Sequence, residues 1–414
     1  MKAKLTESNK CATGNPGRGK LSRSVHRDKP PTLIDTTLRD GAQAADVVLH
    51  HESRVRIAME LYKCGINEIE AGMPAMGPDE QRTIAAIADA LPGARIIGWC
   101  RAHEADLTAA AKCGCDTIHI SFPVSDIHLR CLNLREQWVE KNIPLLVKKA
   151  LNQAKSVTIG FQDASRAPID RLVRLAFMAV ESGAYRIRIA DTVGILTPLC
   201  CAQLIRTLIA QLSPTELEFH GHNDLGMATA NTITALESGA TAVSVTVNGI
   251  GERSGNAALE EVAAVLMREA SQHHAGFRME RIVALCDLVS SMTNEQIPKN
   301  KPITGKNVFR HEAGIHSRAL LEDSRAYEPF SPHLIGRSAS TIVAGTHSGT
   351  RGVQFMLAAS GISIDRNTAA EMQMLIRKEA FQKGRSLDNE EVRNLFNDNF
   401  HSTTNIRKGG RSIL

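Results

Sequence analysis

The stretch Leu217-Glu-Phe-His-Gly-His-Asn-Asp224 places two histidines one residue apart at the end of an apolar run. In an extended strand alternate side chains share a face, so His220 and His222 point the same way. A second run, Leu33-Ile-Asp-Thr-Thr-Leu-Arg-Asp40, is also apolar and ends in charge. An α/β barrel brings such strand ends to one mouth, where Asp40 can join the histidines as a third metal ligand.

The chain around these two runs alternates short apolar segments with segments of helical period, from residue 33 to about 275. The predicted strands are 33–39, 68–72, 96–101, 117–122, 156–162, 186–191, 217–222 and 243–248. The predicted helices include 51–64, 79–90, 104–113, 168–182, 198–212 and 226–238. Eight such units predict a (β/α)8 TIM barrel of the α/β class. A doubly wound open sheet is the alternative, but it favours fewer units and a glycine-rich first turn, which this sequence lacks.

The rest of the chain divides into segments of different character. Residues 1–30 form a basic tail, residues 31–275 the barrel, 276–302 a helix and linker, and 303–414 a smaller, mostly helical C-terminal domain. This last domain contains His311-Glu-Ala-Gly-Ile-His316 and a pair of amphipathic helices over 366–400 with a turn near Gly384. His311 and His316 are five residues apart, so they do not share one face of a helix. This spacing excludes the two-histidine motif of a zinc metalloprotease.

Charge and composition exclude several classes of partner. The net charge is +5, but residues 1–30 carry eight Lys or Arg against two acids, so the rest of the chain is close to neutral and a nucleic-acid binder is not expected. The tail is predicted to be disordered, with an organelle transit peptide as the alternative. No apolar run is long enough to span a membrane. Nine scattered cysteines are typical of reduced thiols in a cytoplasmic enzyme.

Four ordered motifs resemble the homocitrate synthase and 2-isopropylmalate synthase family over about residues 32–400. They are Leu38-Arg-Asp-Gly-Ala-Gln43, Phe219-His-Gly-His-Asn-Asp-Leu-Gly226, Gly249-Ile-Gly-Glu-Arg-Ser-Gly-Asn-Ala-Ala258 and His311-Glu-Ala-Gly-Ile-His316. Further runs, at 224–231, 190–194 and 98–101, are similar to the homocitrate synthases associated with nitrogenase cofactor assembly, and hence with nitrogen fixation. The resemblance implies a Claisen condensation in which acetyl-CoA is deprotonated and its enolate attacks the ketone of 2-oxoglutarate. Hydrolysis of the resulting thioester by water then gives homocitrate and CoA.

The resemblance also implies a divalent metal ion at the mouth of the barrel. Its ligands would be Asp40, His220 and His222, with Asn256 supplying a further oxygen from the loop after strand eight. The ion would chelate the 2-oxo acid and polarise its carbonyl group. Mixed nitrogen and oxygen ligands are compatible with Mn, Mg or Zn.

Three residues are expected to take part in catalysis. Arg39 would sit beside the metal and stabilise the developing negative charge. By resemblance, His316 transfers a proton with Tyr327 beside it, and both come from the partner subunit of a homodimer. Alternatively, His316 is a helix-capping or packing residue and Tyr327 anchors the linker.

The remaining candidates concern substrate binding. Gln43 and Thr192 are expected to donate or accept hydrogen bonds near the ends of strands one and six, and Gln162, at the end of strand five, is a further candidate substrate-binding residue. A five-carbon diacid needs a cation for its distal carboxylate, and Arg101 is the candidate, although it can equally be structural. Other 2-oxo acids remain open, so a citramalate or 2-isopropylmalate synthase is the alternative within the enzyme class.

Two positions depart from the family pattern. Ala42 and Gln162 stand where the family has glutamate. The glutamate at the second position would hold Arg39, so Gln162 is expected to orient Arg39 less firmly, through an uncharged hydrogen bond. These departures leave open a catalytically weakened paralogue that binds a metal and a 2-oxo acid.

Overall fold

The computed structural model of the protein describes residues 30–213, 215–269 and 276–401. Its larger part is a closed barrel of eight parallel strands in which β1 pairs with β8. The strands are β1 (Thr32–Asp35), β2 (Glu68–Gly72), β3 (Arg95–Arg101), β4 (Thr117–Pro123), β5 (Ser156–Gln162), β6 (Arg186–Asp191), β7 (Glu216–Gly221) and β8 (Ala242–Val245). The predicted TIM barrel is confirmed. The predicted basic tail lies outside the described residues, apart from Pro30.

Helices separate the strands and form the outer layer of the barrel. They are α1 (His51–Lys63), α2 (Pro78–Ala90), α3 (Glu104–Lys112), α4 (Asp126–Cys131), α5 (Glu136–Leu151), α6 (Ile169–Glu181), α7 (Pro198–Leu212), α8 (Ala228–Glu237) and α9 (Leu259–Glu269). Helix α6 shows why they form here, because its buried residues Leu172, Leu175, Ala176 and Ala179 recur at helical spacing. The β4–β5 connection holds two helices, and the other connections hold one long helix each.

Strand β1 ends at Asp35, so the prediction that it runs to residue 39 is wrong. The chain turns instead, because the amides of Arg39 and Asp40 both donate to the carbonyl of Thr36, at 3.1 and 2.8 Å. The Asp35 carboxylate stabilises the start of this turn by accepting from the amide and hydroxyl of Thr37, both at 2.9 Å. The turn carries Arg39 and Asp40 to the barrel mouth.

Burial of Asp35 at this turn makes a pH dependence of stability testable. Burial raises the pKa of its carboxyl to about 7, against the opposing hydrogen bonds from Thr37. An unfolded aspartate titrates near 3.9, so the contribution of Asp35 to stability is complete below about pH 4 and is lost as the pH rises through about 7. Asp35→Asn is therefore expected to gain stability relative to the wild type between about pH 4 and about pH 8, by up to roughly 4 kcal/mol.

Thermal unfolding of the wild type and of Asp35→Asn, both metal-free and both followed across this pH range, measures the difference in stability. Removing the metal matters because protonation of its ligands would add a pH dependence of its own. A difference between variant and wild type that is the same at every pH would contradict the assignment of the proton to Asp35.

Charged side chains cross the interior of the barrel. The guanidinium of Arg186 on β6 lies 2.7 Å from the Glu68 carboxylate on β2, and Arg188 lies 2.7 Å from Glu70. Strands β2 and β6 are not neighbours in the sheet, so both contacts span the barrel. All four side chains are buried or nearly so. The inward face of the barrel is therefore held partly by ion pairs.

A smaller, mostly helical region follows the barrel, as predicted. Its elements are α10 (Ile282–Thr293), β9 (Arg310–His311), α11 (Gly314–Glu322), β10 (Thr341–Ile342), α12 (Thr350–Ala359), α13 (Arg366–Lys383) and α14 (Asn389–Phe396). Residues of β10, α12, α13 and α14 share an apolar core that includes Met356 and Ile376. Helix α13 ends at Gly384 in a left-handed conformation, which confirms the predicted helix pair and its turn. Among the described residues, no helix is both long and apolar enough to cross a membrane.

Candidate metal centre and active site

Asp40, His220 and His222 meet at the mouth of the barrel. The Nε2 atoms of the two histidines are 3.3 Å apart, and they lie 3.2 and 3.7 Å from Oδ2 of Asp40. All three side chains are buried. In the part of the chain that the structure describes, this is the one group of His, Cys, Asp or Glu close enough to share a metal ion.

Asn256 completes the cluster from the loop after β8. Its Nδ2 atom lies 3.3 Å from Oδ1 of Asp40, and a β-bridge joins its backbone to His222 at the end of β7. The predicted approach of this loop to Asp40 is confirmed. The Oδ1 atom of Asn256 is buried and has no hydrogen-bond partner among the described residues. A buried acceptor of this kind is costly unless a ligand satisfies it.

Contacts between loops hold the cluster in place. Arg253, in the loop after β8, donates to both carboxylate oxygens of Asp224 at 2.7 and 2.9 Å and to the carbonyl of Thr192 at 2.6 Å. Gly194 lets these loops approach, since a Cβ atom there would lie 2.8 Å from the His222 carbonyl oxygen. The loops after β6, β7 and β8 therefore form one unit around His222 and Asn256.

The electrostatics favour the ligand forms of these side chains. Burial alone would raise the pKa of Asp40, but the charge of Arg39 and the hydrogen bond with His220 outweigh it and hold that pKa well below its usual range. Burial and the neighbouring His220 lower the pKa of His222 to about 4. At neutral pH Asp40 is a carboxylate and His222 is uncharged, as metal binding requires.

These residues fit a divalent metal ion. Two imidazole nitrogens, a carboxylate and the unpartnered amide oxygen of Asn256 form a mixed donor set of the kind that Mn, Zn or Mg accepts. The metal-ligand roles of Asp40, His220, His222 and Asn256 remain a prediction that rests on this convergence.

Arg39 lies beside the cluster and is almost fully buried. Its Nη1 atom donates to Oδ2 of Asp40 at 2.9 Å, and its Nε atom donates to Glu70 on β2. Its guanidinium carbon also lies 5.6 Å from the ring centre of Trp99 on β3, within the range of a cation–π interaction. Three neighbours therefore fix a permanent positive charge next to the predicted metal.

The expected contact between Gln162 and Arg39 is wrong. The carboxylate that holds Arg39 comes from Glu70 on β2, whereas Gln162 stands at the end of β5. No hydrogen bond joins Gln162 to Arg39 among the described residues. Arg39 has therefore kept a charged partner, and the amide at position 162 does not loosen it. Gln162 remains a predicted substrate-binding residue.

The other predicted substrate-binding residues have defined partners. Gln43 accepts a long hydrogen bond of 3.5 Å from Arg39 and is otherwise exposed. Arg101 is 64% exposed at the end of β3, and Asp106 binds it through two hydrogen bonds of 2.9 Å. The hydroxyl of Thr192 accepts the amide of Asp163 at 2.8 Å. Arg101 and Thr192 thus have structural contacts, and their binding roles remain predictions.

His316 and Tyr327 pair with each other in the C-terminal region. Their rings stack at 4.0 Å between centres and 28° between planes, and both side chains are exposed. Within the described part of the chain, no hydrogen bond or ion pair links either residue to Asp40, His220 or His222. The pair is formed as the sequence predicts, but the single chain does not bring it into the metal cluster.

Sequence reasoning missed His119 on β4, whose fully buried ring lies 2.8 Å from the Thr158 hydroxyl. Burial and the charge of Arg188 hold the pKa of His119 well below its usual range, so the ring is uncharged. Charges of Glu70 and Arg39 also act on it. The period-two alternation of β4 was the available signal, because it places His119 on the inward face below Ser121.

The fold and the convergent residues define a TIM-barrel protein with a candidate divalent-metal centre at its mouth. Residues 30–289 match the HMGL-like family, and residues 303–384 match a second family described as homocitrate synthase post-HMGL domain-like. The chain belongs to the HMGL-like family, within its homocitrate synthase and 2-isopropylmalate synthase group.

Two curated relatives illustrate this membership. The 2-isopropylmalate synthase 2 of Caldanaerobacter subterraneus subsp. tengcongensis is 38% identical over 373 residues, which cover 90% of this chain and 96% of the relative. Homocitrate synthase 1 of Nostoc sp. is 38% identical over 372 residues, covering 89% and 98%. Equal identity to both relatives means that overall similarity does not choose the 2-oxo acid.

Solved structures agree on the fold. An HMG-CoA lyase from Acenitobacter baumannii, in complex with coenzyme A and 3-methylmalate, superposes with a TM-score of 0.58 over 65% of this chain and 93% of that one. The HMG-CoA lyase of Bacillis subtilis also gives 0.58, covering 65% and 96%. Identities of 16% and 21% limit this likeness to the barrel fold.

Proposed function

We propose that this protein is a metal-dependent homocitrate synthase that condenses acetyl-CoA with 2-oxoglutarate and, after hydrolysis of the thioester by water, releases homocitrate and CoA. The observation that carries the proposal is the buried group of Asp40, His220, His222 and Asn256 with Arg39 beside it. Its support comes from relatives that bear the names of acyl-CoA condensing enzymes, and from the match of residues 303–384 to a homocitrate synthase domain. We also propose that the enzyme is cytoplasmic and that its product serves nitrogen fixation.

The residues of the mouth suit this reaction. A bound divalent metal would supply Lewis-acid polarisation of the 2-oxo acid carbonyl. Arg39, fixed by Asp40 and Glu70, offers a permanent positive charge where oxygen becomes negative during carbon–carbon bond formation. Arg101 is the proposed partner of the distal carboxylate of 2-oxoglutarate, because it is exposed at the end of β3.

The choice of 2-oxo acid is tested by a substrate panel. Thiol release from acetyl-CoA is expected to have a kcat/KM at least about tenfold higher with 2-oxoglutarate than with pyruvate or 2-oxoisovalerate, because a charged pocket rejects an uncharged end group. A thiol reagent measures release, and mass spectrometry identifies the product. Faster release with pyruvate would identify a citramalate synthase, and faster release with 2-oxoisovalerate a 2-isopropylmalate synthase.

We further propose a homodimer in which His316 and Tyr327 act at the partner's metal centre. Both residues are exposed in the single chain, and the adjacent Ile315 is 78% exposed, so this segment is accessible to a partner subunit. Stacking with Tyr327 holds the imidazole of His316 in one orientation, as proton transfer requires.

Subunit mixing tests this arrangement. The variants Asp40→Asn and His316→Ala are each expected to be inactive, yet dimers reassembled from equal amounts of the two should recover about a quarter of wild-type activity. Half of the reassembled dimers are mixed, and one of the two sites in each mixed dimer is intact. No recovery after confirmed exchange of subunits would place His316 in its own chain's site.

A catalytically weakened paralogue is the alternative that the departures at Ala42 and Gln162 suggest. The loss of a carboxylate next to Arg39 does not support it, because Glu70 provides that carboxylate. Ala42 still stands where the family has glutamate. Binding of 2-oxoglutarate without any thiol release from acetyl-CoA, in protein shown to contain metal, would revive this alternative.

A further inference from the structure

Arg39 stands at one end of a chain of buried charges that runs through the barrel. One oxygen of Glu70 accepts from Arg39, and its other oxygen lies 2.7 Å from the guanidinium of Arg188. Arg188 donates to Glu218 on β7 at 2.6 Å, and Ser244 on β8 donates to the same carboxylate oxygen at 2.5 Å. This network of side chains therefore links β8, β7, β6 and β2 to the loop that carries Arg39.

Glu70 is the shared member of this network. Burial would raise the pKa of its carboxyl, but the charges of Arg188 and Arg39 outweigh it and hold that pKa far below the usual range. Glu70 is therefore a carboxylate between two guanidinium groups. Arg188 lies 2.7 Å from Oε2 of Glu70 as an ion pair without normal hydrogen-bond geometry. The Arg188 charge therefore draws Oε2 towards β6 and leaves Oε1 facing Arg39.

Burying the charged groups of this network costs free energy, and a gain in stability does not explain why they are buried. Arg188 is 3% exposed, and its Nη1 atom is buried without a hydrogen-bond partner in the described part of the chain. Buried ion pairs of this kind often contribute little net stability, because desolvation offsets the attraction between the charges. A buried ion pair does, however, restrain geometry, because opposite charges attract strongly where water does not screen them.

We propose that Arg188 is a positioning residue for the condensation reaction, acting through Glu70 to set the orientation of Arg39 at the predicted metal centre. The kinetic part of this inference rests on the proposed function, whereas the geometric part does not.

Arg186 offers a matched control on the same strand. It lies two residues before Arg188, is equally buried at 2% exposed, and also spans the barrel to a glutamate of β2. Its partners are Glu68, Glu216 and, at 3.9 Å, the Glu218 carboxylate that Arg188 also contacts. Among the described residues, no hydrogen bond or ion pair joins Arg186 to Glu70. A purely structural role for barrel arginines predicts similar effects of Arg186→Lys and Arg188→Lys. The positioning role predicts that only the second disturbs Arg39.

Trp99 provides a readout that needs no substrate. The chain has two tryptophans, and Trp138 packs against Phe122 on the outside of the barrel wall. In a Trp138→Phe background, fluorescence reports Trp99, which faces the Arg39 guanidinium. Arg39→Gln defines the emission change caused by removing the cation from the ring. Arg188→Lys is expected to give at least about half of that change, and Arg186→Lys less than about a tenth of it.

Steady-state kinetics provide a second test of the role of Arg188. Arg188→Lys is expected to lower kcat on the order of 100-fold with KM changed less than about threefold, because a misplaced charge affects the transition state more than substrate binding. Arg186→Lys should change kcat less than about threefold, with any loss confined to thermal stability. In a double-mutant cycle, Arg39→Lys and Arg188→Lys should be strongly non-additive, since both act through one guanidinium.

The outcomes separate the possibilities. If Arg188→Lys does not fold, Ser244→Ala removes only the distal hydrogen bond and should shift Trp99 emission in the same direction by a smaller amount. An unchanged Trp99 emission in folded Arg188→Lys, or equal effects of Arg186→Lys and Arg188→Lys, would overturn the proposal. If no 2-oxo acid supports turnover, the fluorescence arm still decides it, so failure of the proposed function is distinguishable.

Discussion

Asp40→Asn is expected to lose its bound metal and to lower turnover on the order of 1000-fold. The change keeps the size of the side chain but removes the one negative charge among the predicted ligands, which lies 3.2 Å from His220 and 2.9 Å from Arg39. A catalytic metal contributes several kcal/mol to the transition state, and a factor of ten in rate is about 1.4 kcal/mol. Metal content by mass spectrometry and Mn²⁺ affinity by calorimetry measure the first effect, and thiol release measures the second.

The control for this experiment is Asp116→Asn. Asp116 precedes β4 at the opposite end of the barrel, where it pairs with Lys155 and accepts the amide of Ile96. Asp116→Asn makes the same chemical change at a position away from the barrel mouth, so metal content and turnover should stay at wild-type values. Full metal occupancy in Asp40→Asn, measured beside this control, would show that Asp40 is not needed to bind the ion.

Arg39→Gln is expected to have an effect of similar size on turnover while the metal remains bound. Arg39 is not a predicted ligand, but its charge lies 2.9 Å from Asp40 and is held there by Glu70. Loss of one preorganised charge at a developing oxyanion costs about 100- to 1000-fold in kcat. Mn²⁺ affinity should fall less than about tenfold, because Arg39 influences the ligand Asp40 only indirectly.

Arg95→Gln provides the matched control for Arg39→Gln. Arg95 begins β3 and pairs with Glu68 and Tyr185, away from the Asp40 cluster. Its loss should leave both kcat and metal affinity near wild-type values. If Arg39→Gln instead loses metal in proportion to activity, Arg39 acts by stabilising the metal site, and a separate role in the transition state would be excluded.

The barrel was predictable because its signal is repeated eight times along the chain. Strands β2, β5 and β6 begin and end where the apolar alternation places them. Strand β1 was predicted too long, because Thr36, Thr37 and Leu38 are residue types that favour a strand. The amides of Arg39 and Asp40 instead fold back onto the Thr36 carbonyl. Side-chain hydrogen bonds such as that of Asp35 to Thr37 compete locally with the strand, and a hydrophobic pattern does not reveal them.

The metal cluster was predictable for a related reason. Parallel strands of a closed barrel end at one mouth, so Asp40, His220 and His222 had to be close once the strand order was known. The partner of Arg39 was not predictable in this way. Glu70 lies in the middle of β2 and Gln162 at the end of β5. Only the side-chain geometry shows that Glu70 is the one within reach of Arg39.

The pairing of Arg188 with Glu218 was predictable from the strand register. Arg188 is the register partner of Glu218 on the neighbouring strand, and both are inward-facing by alternation. Charges on adjacent inward positions of a closed barrel must pair, because an isolated buried charge is too costly. The contact between Arg188 and Glu70 spans the barrel, however, and such contacts depend on barrel radius and rotamers rather than on sequence order.

Metal dependence of thiol release is the measurement that tests the account most directly. The purified protein is stripped of metal with a chelator, and CoA release from acetyl-CoA is followed with 2-oxoglutarate before and after adding Mn²⁺. The account predicts no release above background without metal, recovery of activity on adding Mn²⁺, and homocitrate as the product by mass spectrometry. Undiminished release from protein shown to be metal-free would contradict the central claim that Asp40, His220 and His222 form a catalytic metal centre.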